Sequence, residues 1–303
     1  MVANKPRIIV VHDLRLADRT ALAYTAAAAL LLAVAGADVP GRGGRVAVHL
    51  AIIAGILLVV RFAARTRGRT GGMWAVARAV YPLPLLLFWW GQLEHEIPLL
   101  WGSYWTTDWL VRGDAALFRG HPTVLVQSLF TPWLDEAMAF CYLSYYLFLA
   151  VPVVLVFKRR FDSAVAGYGA ILLTYAANFT LFIVLPAKSP PQILEQYPDL
   201  QASPFTGFVL GDLIRSLQAT DSVTGAAFPS SHIAGSMVCT LVALRFLPRL
   251  GRVLIPLLIG MSIATVYLGY HHALDPIAGL VLGVAGYALA GRIEPSLNPP
   301  PNG

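Results

Sequence analysis

Residues 164–186 read AVAGYGAILLTYAANFTLFIVLP, a run that contains no charged side chain. A helix needs about 20 predominantly apolar residues to cross the hydrocarbon core, where no water can pair with free backbone groups. The run therefore predicts a membrane-spanning helix. Seven further stretches are predominantly apolar over a similar length, and the eight together are 20–38, 46–63, 73–93, 134–157, 164–186, 227–247, 253–270 and 276–292.

The composition supports a membrane location, because 57% of the 303 residues are hydrophobic and 13% are charged, against roughly 25% charged in soluble domains. We expect an all-α fold, a polytopic bundle of about eight transmembrane helices. The first span, preceded by residues 1–19, is expected to remain as an anchor. We divide the chain into N-terminal membrane helices with an interfacial loop (1–132), a catalytic helical core (133–293) and a disordered tail (294–303).

The positive charges predict the orientation, because cytoplasmic loops keep an excess of Lys and Arg. One side carries most of them: Lys5, Arg7, Arg15, Arg19, Arg61, Arg65, Arg67, Arg69, Lys158, Arg159, Arg160, Arg245, Arg249, Arg252 and Arg292. We expect that side to be cytoplasmic, with both termini there, and the other side to be extracytoplasmic at a plasma or inner membrane. The net charge of +6 is then a topology signal and indicates no nucleic-acid partner.

Two loops on the extracytoplasmic side have helical patterns. Trp101, Trp105 and Trp109 recur every four residues, which suits a helix lying in the membrane interface or one wall of a lipid-entry groove. The apolar positions of residues 208–217 also recur at helical spacing and are expected to cap a site. Cys141 and Cys239 fall within spans at different depths, so we expect no disulfide between them.

Three polar clusters stand at the extracytoplasmic ends of predicted helices: 185–191 (LPAKSPP), 228–232 (FPSSH) and 267–276 (YLGYHHALDP). Polar groups are tolerated at helix ends, where one shared cavity can form. A phosphorylated substrate would need a fixed cation and aligned donors there. Lys188 is the candidate cation, although it could also be a snorkelling interfacial lysine. Pro229 is expected to begin a helix, which would make Ser230, Ser231 and free N–H groups an anion cradle.

Histidine can supply both a nucleophile and an acid near neutral pH. His232 follows the serines, and His271 and His272 both lie at helical spacing from Asp275, so either could be the nucleophile that Asp275 orients. Asp275 precedes a proline and could instead cap the last helix. His95 and His121 carry no such pattern and are not expected to be catalytic.

The two later clusters resemble the type 2 phosphatidic acid phosphatase superfamily, whose motifs are Pro-Ser-Ser-His and, about forty residues on, His-x-x-x-Asp. They are more similar still to the inositol phosphorylceramide synthase branch, because Tyr267-Leu268, His271-His272, Asp275 and Ile277-Ala278-Gly279 match its third motif. The resemblance covers roughly residues 180–280. It implies that His271 is the nucleophile, Asp275 its orienter and His232 the acid, with Ser230, Ser231 and Lys188 binding phosphate.

The sequence departs from lipid phosphatases of the superfamily at two arginines. No Arg-Pro follows Lys188 at the expected spacing, and Thr265 stands where an arginine is usual six residues before the nucleophile. The synthase-like branch also lacks the second arginine, so the departure favours that branch. Lys188 is left as the nearby cation, apart from Arg215 in the second loop.

We therefore predict a phosphotransferase that moves a phosphoryl or inositol-phosphate-type head group from a lipid to an alcohol acceptor through a phosphohistidine. The alternatives are a lipid phosphatase, a zinc enzyme using His232, His271, His272 and Asp275, and a transporter, whose polar residues would lie at midplane. The expected mechanism requires no metal and no organic cofactor. Expected partners are a membrane lipid substrate and, for a transferase, a lipid alcohol acceptor.

Overall fold

The computed structural model describes residues 14–36, 39–65, 72–198, 206–220 and 223–297. Over these ranges the chain is helical and has no strand, and Ala187 and Ala226 form only an isolated bridge. The helices, numbered in chain order, are α1 Leu16–Val34, α2 Arg42–Arg65, α3 Met73–Val80, α4 Pro82–Glu96, α5 Pro98–Trp101, α6 Thr106–Phe118, α7 Pro122–Leu125, α8 Pro132–Leu143, α9 Tyr145–Leu149, α10 Val151–Phe157, α11 Phe161–Val184, α12 Val209–Thr220, α13 Ser231–Phe246, α14 Pro248–Tyr267 and α15 Leu274–Ile293.

The predicted all-α membrane bundle is confirmed. Within the described ranges, six stretches are long and apolar enough to cross a membrane: Leu16–Val34, Arg42–Arg65, Met73–Trp101, Phe161–Val184, Pro248–Tyr267 and Leu274–Ile293. A seventh is Pro132–Leu149 with Val151–Phe157, if this pair, bent by 41°, is one span. The remaining predicted stretch, 227–247, corresponds to the shorter apolar helix α13, which has 16 residues. Length and composition thus support six or seven spans directly.

The bend in the predicted span 134–157 falls between α9 and α10. Pro152 stands in the first turn of α10. Proline has no N–H to donate to the carbonyl four residues earlier, here that of Phe148, and its ring clashes with that carbonyl. Loss of this bond is a sufficient cause for the bend.

The spacing of the three tryptophans predicted a single helix, but the structure distributes them over two. Trp101 ends α5, Gly102 adopts a left-handed conformation with φ of 64°, and Trp105 immediately precedes α6. A left-handed glycine is a common way to end a helix. Trp101, Trp105 and Trp109 are nevertheless all about half exposed.

The ordered chain continues past the predicted start of the tail at residue 294. Pro295–Leu297 forms a 3-10 turn whose Leu297 is fully buried. The Arg15 guanidinium, just before α1, donates to both carboxylate oxygens of Glu294 at 3.1 Å. The two ends of the described chain are therefore tied together, and residues 298–303 of the predicted tail lie outside the described residues.

Helix α11 forms the centre of the bundle. It packs against α1, α13 and α15, and 72% of its most apolar stretch is buried, against 17–44% for the other five candidate spans. Lipid tails are as apolar as leucine, so helices in a membrane associate largely through close packing. Small residues at the helix crossings permit that packing, because they let the backbones approach closely.

Three glycines on one side of α15 allow its close approach to α13 and α11. A methyl group at Gly279 would lie 2.7 Å from the carbonyl oxygen of Ser230. At Gly283 it would lie 2.6 Å from Cβ of Met237, and at Gly286 it would lie 2.2 Å from Oγ1 of Thr174. These distances are below any normal contact, so α15 packs here at backbone distance.

The start of α15 is capped by a carboxylate from a different helix. Asp114 of α6 accepts hydrogen bonds from the backbone N–H groups of Ala273 at 2.7 Å and Leu274 at 3.1 Å. The first N–H groups of a helix have no partner within the helix, and a negative charge is favourable near them. Burial raises the pKa of Asp114, while the two N–H donors act in the opposite direction. The turn before α15 is thus fixed against α6.

We expect Gly283→Ala to destabilise the protein by about 1–3 kcal/mol, because overpacking at backbone distance cannot be relieved by a side-chain rotation. Thermal unfolding in detergent measures this. The matched control is Gly55→Ala in α2, where an added methyl group meets nothing within 4 Å and alanine favours the helix by roughly 0.5–1 kcal/mol. A melting temperature for Gly283→Ala equal to that of the control would contradict the packing described.

We expect Asp114→Asn to cost about 1–3 kcal/mol, because the amide has one oxygen for two buried N–H donors and its own NH₂ would face one of them. Thermal unfolding in detergent again provides the measurement. Asp162→Asn is the control, since that carboxylate is 93% exposed and surface ion pairs contribute little. Equal melting temperatures for the two variants would mean that the Asp114 cap contributes nothing to stability.

Candidate active site

Main-chain hydrogen bonds join the three polar segments at one end of the bundle. The N–H of Ala187 donates to the carbonyl of Gly225 at 3.1 Å, and that of Ala227 donates to the carbonyl of Ala187 at 3.1 Å. The N–H of Ser230 donates to the carbonyl of Asp275 at 3.0 Å. The segment before Lys188, the start of α13 and the start of α15 are therefore held side by side.

His271 lies between a carboxylate and a hydroxyl. Its Nδ1 is 3.1 Å from Oδ2 of Asp275, and its Nε2 is 3.0 Å from Oγ of Ser230. A carboxylate that orients histidine accepts the Nδ1 proton, which leaves the Nε2 lone pair available to accept the Ser230 hydroxyl. All three side chains are at least 94% buried. This is the arrangement of a histidine oriented by a carboxylate on one ring nitrogen and by a hydroxyl on the other.

The contact between His271 and Asp275 crosses a turn and is not made along one continuous helix. α14 ends at Tyr267, Gly269 has φ of 77°, and α15 begins at Leu274. Asp275 is the second residue of α15 and does not occupy the N-cap position, which is held by Ala273. Its Oδ2 does accept the backbone N–H of His272 at 2.9 Å. One carboxylate thus both holds the turn and orients the imidazole.

His272, the other candidate nucleophile, faces a different partner. Its Nε2 is 3.1 Å from the carbonyl oxygen of Lys188, and a carbonyl can only accept, so Nε2 carries a proton. Burial lowers the pKa of His272 despite the nearby Asp275 and the Lys188 carbonyl. The geometry therefore distinguishes the two neighbours, which spacing alone left equivalent: His272 links two segments, and His271 has the orienting carboxylate.

Ser230 and Ser231 stand at the beginning of α13. The helix starts at Ser231, two residues after the predicted start at Pro229. Ser230 is the N-cap, and its side chain accepts the N–H of Ile233 at 3.4 Å. Asn178 of α11 donates to the carbonyl of Pro229 at 2.9 Å. The proline therefore lies in the approach to the helix, and the two serines form the helix N-terminus.

His232 faces a group of tyrosines that the sequence analysis did not identify. Its Nε2 is 3.3 Å from the hydroxyl of Tyr142, and its ring centroid is 4.6 Å from that of Tyr145. Tyr270 stacks on Tyr142 with centroids 4.3 Å apart. The His232 and His271 rings are 6.1 Å apart. The run CYLSYY at residues 141–146 was the available signal, an aromatic cluster in a span that carried no family motif.

A cavity of about 340 Å³ opens beside His232. Its walls are largely apolar and aromatic, and Ser231, His232 and several tyrosine hydroxyls supply the polar groups. The lining residues are Leu83, Leu86, Leu87, Trp90, Tyr142, Leu143, Tyr145, Tyr146, Leu149, Tyr175, Phe179, Leu217, Ser231, His232 and Tyr270. Leu217 belongs to α12, so the helix that corresponds to the pattern at 208–217 does form part of the wall.

The Lys188 backbone is at the site, but its ammonium group rests on an aromatic ring. Nζ lies 5.0 Å from the ring centroid of Tyr104, and the backbone N–H donates to Oγ1 of Thr107 at 3.0 Å. A cation over an aromatic face is moderately stabilised. Arg215, the other cation considered, pairs with Asp212 and with the carbonyl of Thr206. Neither cation lines the cavity beside His232.

The zinc hypothesis finds no support in the geometry. Among the described residues, no group of three or more His, Cys, Asp and Glu side chains is arranged to hold a metal ion. His271 and His272 direct their ring nitrogens to Asp275, Ser230 and Lys188. The four residues of the zinc alternative therefore do not converge as a ligand set.

Comparisons with known proteins identify a relative and a family. A PA-phosphatase related-family protein of Dictyostelium discoideum is 25% identical over 229 residues, which are 68% of this chain and 40% of that protein. The match thus spans about two fifths of the length of this curated relative. No solved structure matches the chain.

The model of the PAP2 superfamily matches residues 108–289. This segment runs from α6 to α15, contains all the candidate site residues and excludes α1–α5. The resemblance to phosphatidic acid phosphatases is confirmed at the level of the superfamily. Because the match extends over more than half of the sequence, the chain belongs to the PAP2 superfamily.

Proposed function

We propose that the protein is a membrane phosphotransferase that moves a phosphoryl or inositol-phosphate-type head group from a lipid to an alcohol acceptor, with His271 as nucleophile. Membership of the PAP2 superfamily supports lipid phosphatase or phosphotransferase chemistry. The observation that carries the proposal is the chain of contacts from Asp275 through His271 to Ser230, 3.1 Å and 3.0 Å long. It leaves Nε2 of His271 as an unprotonated, oriented nitrogen.

The first half-reaction forms a bond between Nε2 of His271 and phosphorus while the bond from phosphorus to the leaving oxygen breaks. His232, which must enter this step as the imidazolium, donates a proton to that oxygen and becomes neutral, and Asp275 stabilises the positive charge on His271. In the second half-reaction the acceptor hydroxyl attacks phosphorus, its proton passes to His232, and the N–P bond breaks. The acceptor leaves with the transferred head group, the donor lipid having left without it in the first half-reaction, and both histidines return to their starting states.

The phosphate oxygens would be bound by Ser230, Ser231 and Lys188. Ser230 and Ser231 stand at the N-terminus of α13, where free N–H groups and the helix dipole favour an anion. Lys188 would have to leave the face of Tyr104, an exchange of one moderate interaction for a charge-assisted one. The binding role of Lys188 thus depends on a side-chain movement.

Two observations favour an alcohol over water as acceptor. The cavity beside His232 is largely apolar, which suits a lipid alcohol. Thr265, at the position of the missing arginine, is fully buried and donates to the carbonyl of Ser262. This position therefore supplies no cation of the kind that lipid phosphatases of the superfamily usually carry there. These points support the branch that resembles inositol phosphorylceramide synthases.

A lipid phosphatase is the second candidate function. It is favoured by the name of the Dictyostelium relative, a PA-phosphatase related-family protein. The same residues would act, with water in place of the alcohol in the second half-reaction. For either function, the distribution of Lys and Arg leads us to propose an extracytoplasmic site and cytoplasmic termini.

Purified protein supplied with labelled phosphatidylinositol or phosphatidic acid, with and without a lipid alcohol, separates the two functions. We expect a new phospholipid to form only when the alcohol is present. Release of inorganic phosphate or inositol phosphate without the alcohol would instead establish a phosphatase or phospholipase-type hydrolase.

We expect His271→Ala to abolish turnover and His232→Ala to reduce it by about 10²–10⁴-fold, the usual contribution of general acid–base catalysis. The wild type quenched in alkali should carry labelled phosphate on His271. His95→Ala is the control, because His95 pairs with Glu94 away from the cavity. Substantial turnover by His271→Ala would exclude a covalent intermediate on that residue.

We expect Lys188→Met to raise KM by roughly 10–100-fold, since a hydrogen bond to a charged group contributes about 1.5–3 kcal/mol. The substitution keeps the apolar stem and the backbone carbonyl that faces His272. Lys158→Met is the control, because Lys158 is exposed beyond α10. Unchanged KM and kcat in Lys188→Met would remove Lys188 from the phosphate site.

A further inference from the structure

The cavity beside His232 has a wall that lies outside the family match. Leu83, Leu86, Leu87 and Trp90 all belong to α4, and the PAP2 superfamily match begins only at residue 108. Leu86 and Leu87 each lie three or four residues from both Leu83 and Trp90, so the four side chains share one face of the helix. One side of the cavity is thus built by the N-terminal segment.

The cavity runs along α4 away from the active-site end. Trp101, just after α4, donates its indole N–H to the carbonyl of Val184 at the end of α11, so the two helices end on the same side. The Lys188 segment of the active site follows directly after the end of α11. Trp90 is closer than Leu83 to the end of α4, so it also lies nearer to the site. These two residues are seven positions apart, or about 10 Å at 1.5 Å per residue. Leu83 therefore marks the end of the cavity far from His232.

The mouth of the cavity lies on the flank of the bundle. Leu87 of α4 and Tyr146 of α9 line the cavity and are also 68% and 63% exposed. α4 belongs to a stretch that is long and apolar enough to span the membrane. Surface on the flank of such a helix faces lipid, so an apolar chain can enter between α4 and α9 without crossing water.

We propose that the hydrocarbon chain of the lipid substrate lies along α4 between Leu83 and Trp90, and that this wall sets the accepted chain length. The proposal rests on the phosphotransferase or phosphatase function proposed above. It commits to a lipid chain because the cavity is largely apolar and opens on a lipid-facing flank. The phosphate then lies at Ser231 and His232, and the chain extends toward Leu83.

The selection expected here is steric. A chain that moves from the bilayer into an apolar cavity exchanges one apolar surrounding for another, so burial itself brings little gain. A chain that is too long must instead displace packed side chains, which is unfavourable. Narrowing the far end should therefore penalise long chains and leave short ones unaffected.

The test compares dioctanoyl and dioleoyl phosphatidic acid, each at one surface fraction in mixed micelles, with labelled phosphate followed into all products and a lipid alcohol present. We expect Leu83→Trp to lower kcat/KM for the dioleoyl lipid at least tenfold and to keep that for the dioctanoyl lipid within twofold. Leu58→Trp in α2, at a position that is 53% exposed, should change neither. An unaltered ratio of the two values in Leu83→Trp would overturn the proposal.

A second measurement uses the wild type and needs no turnover. Phosphatidic acid with a diazirine in its acyl chain is irradiated with the protein in micelles, and the labelled peptides are identified. We expect label on residues 83–90 that unlabelled phosphatidic acid competes away, and label on α2 that it does not. Competition that is equal at both places would overturn the proposal. Specific labelling without turnover on any lipid phosphate would leave the wall in place and refute the proposed function alone.

Discussion

The N–H of Ser230 donates to the carbonyl of Asp275 over 3.0 Å, and this bond fixes the first turn of α13 against that of α15. His271 needs both turns, because Asp275 holds its Nδ1 and Ser230 contacts its Nε2. The bond depends on a glycine at residue 279, since a methyl group there would lie 2.7 Å from the Ser230 carbonyl oxygen and would push the two turns apart. The placement of the histidine is thus a consequence of backbone packing.

Adjacent histidines acquire different properties from their partners. His272 donates to a neutral carbonyl, and burial lowers its pKa. His271 faces a carboxylate, which can stabilise a positive imidazolium when the other nitrogen reacts. Both side chains are about 95% buried or more, so burial alone does not separate them. The hydrogen-bond partner, a carboxylate for His271 and a carbonyl for His272, is what distinguishes the two imidazoles.

Much of the architecture could be predicted because it depends on local sequence. Apolar length identified the helices, and the polar clusters at 185–191, 228–232 and 267–276 could be placed near one another from their positions at helix ends. Asp114 could not be identified, because it caps a helix that begins 160 residues later and its position on α6 carries no distinctive pattern. Tyr104 was missed for the same reason: the partner of Lys188 is set by how α5 and α6 fold over the segment after α11. Contacts between distant segments are outside the reach of periodicity and spacing.

The cavity is lined by two separate parts of the sequence, because α4 contributes one of its walls. The groups proposed for chemistry all lie within residues 108–289, whereas Leu83, Leu86, Leu87 and Trp90 lie before it. Exchange of the N-terminal helices between relatives could therefore alter which molecules fit without disturbing the turn that holds His271. In such an arrangement the reacting groups and the residues that select the substrate can change independently during evolution. Substrate preference can then diversify while the reacting groups stay the same.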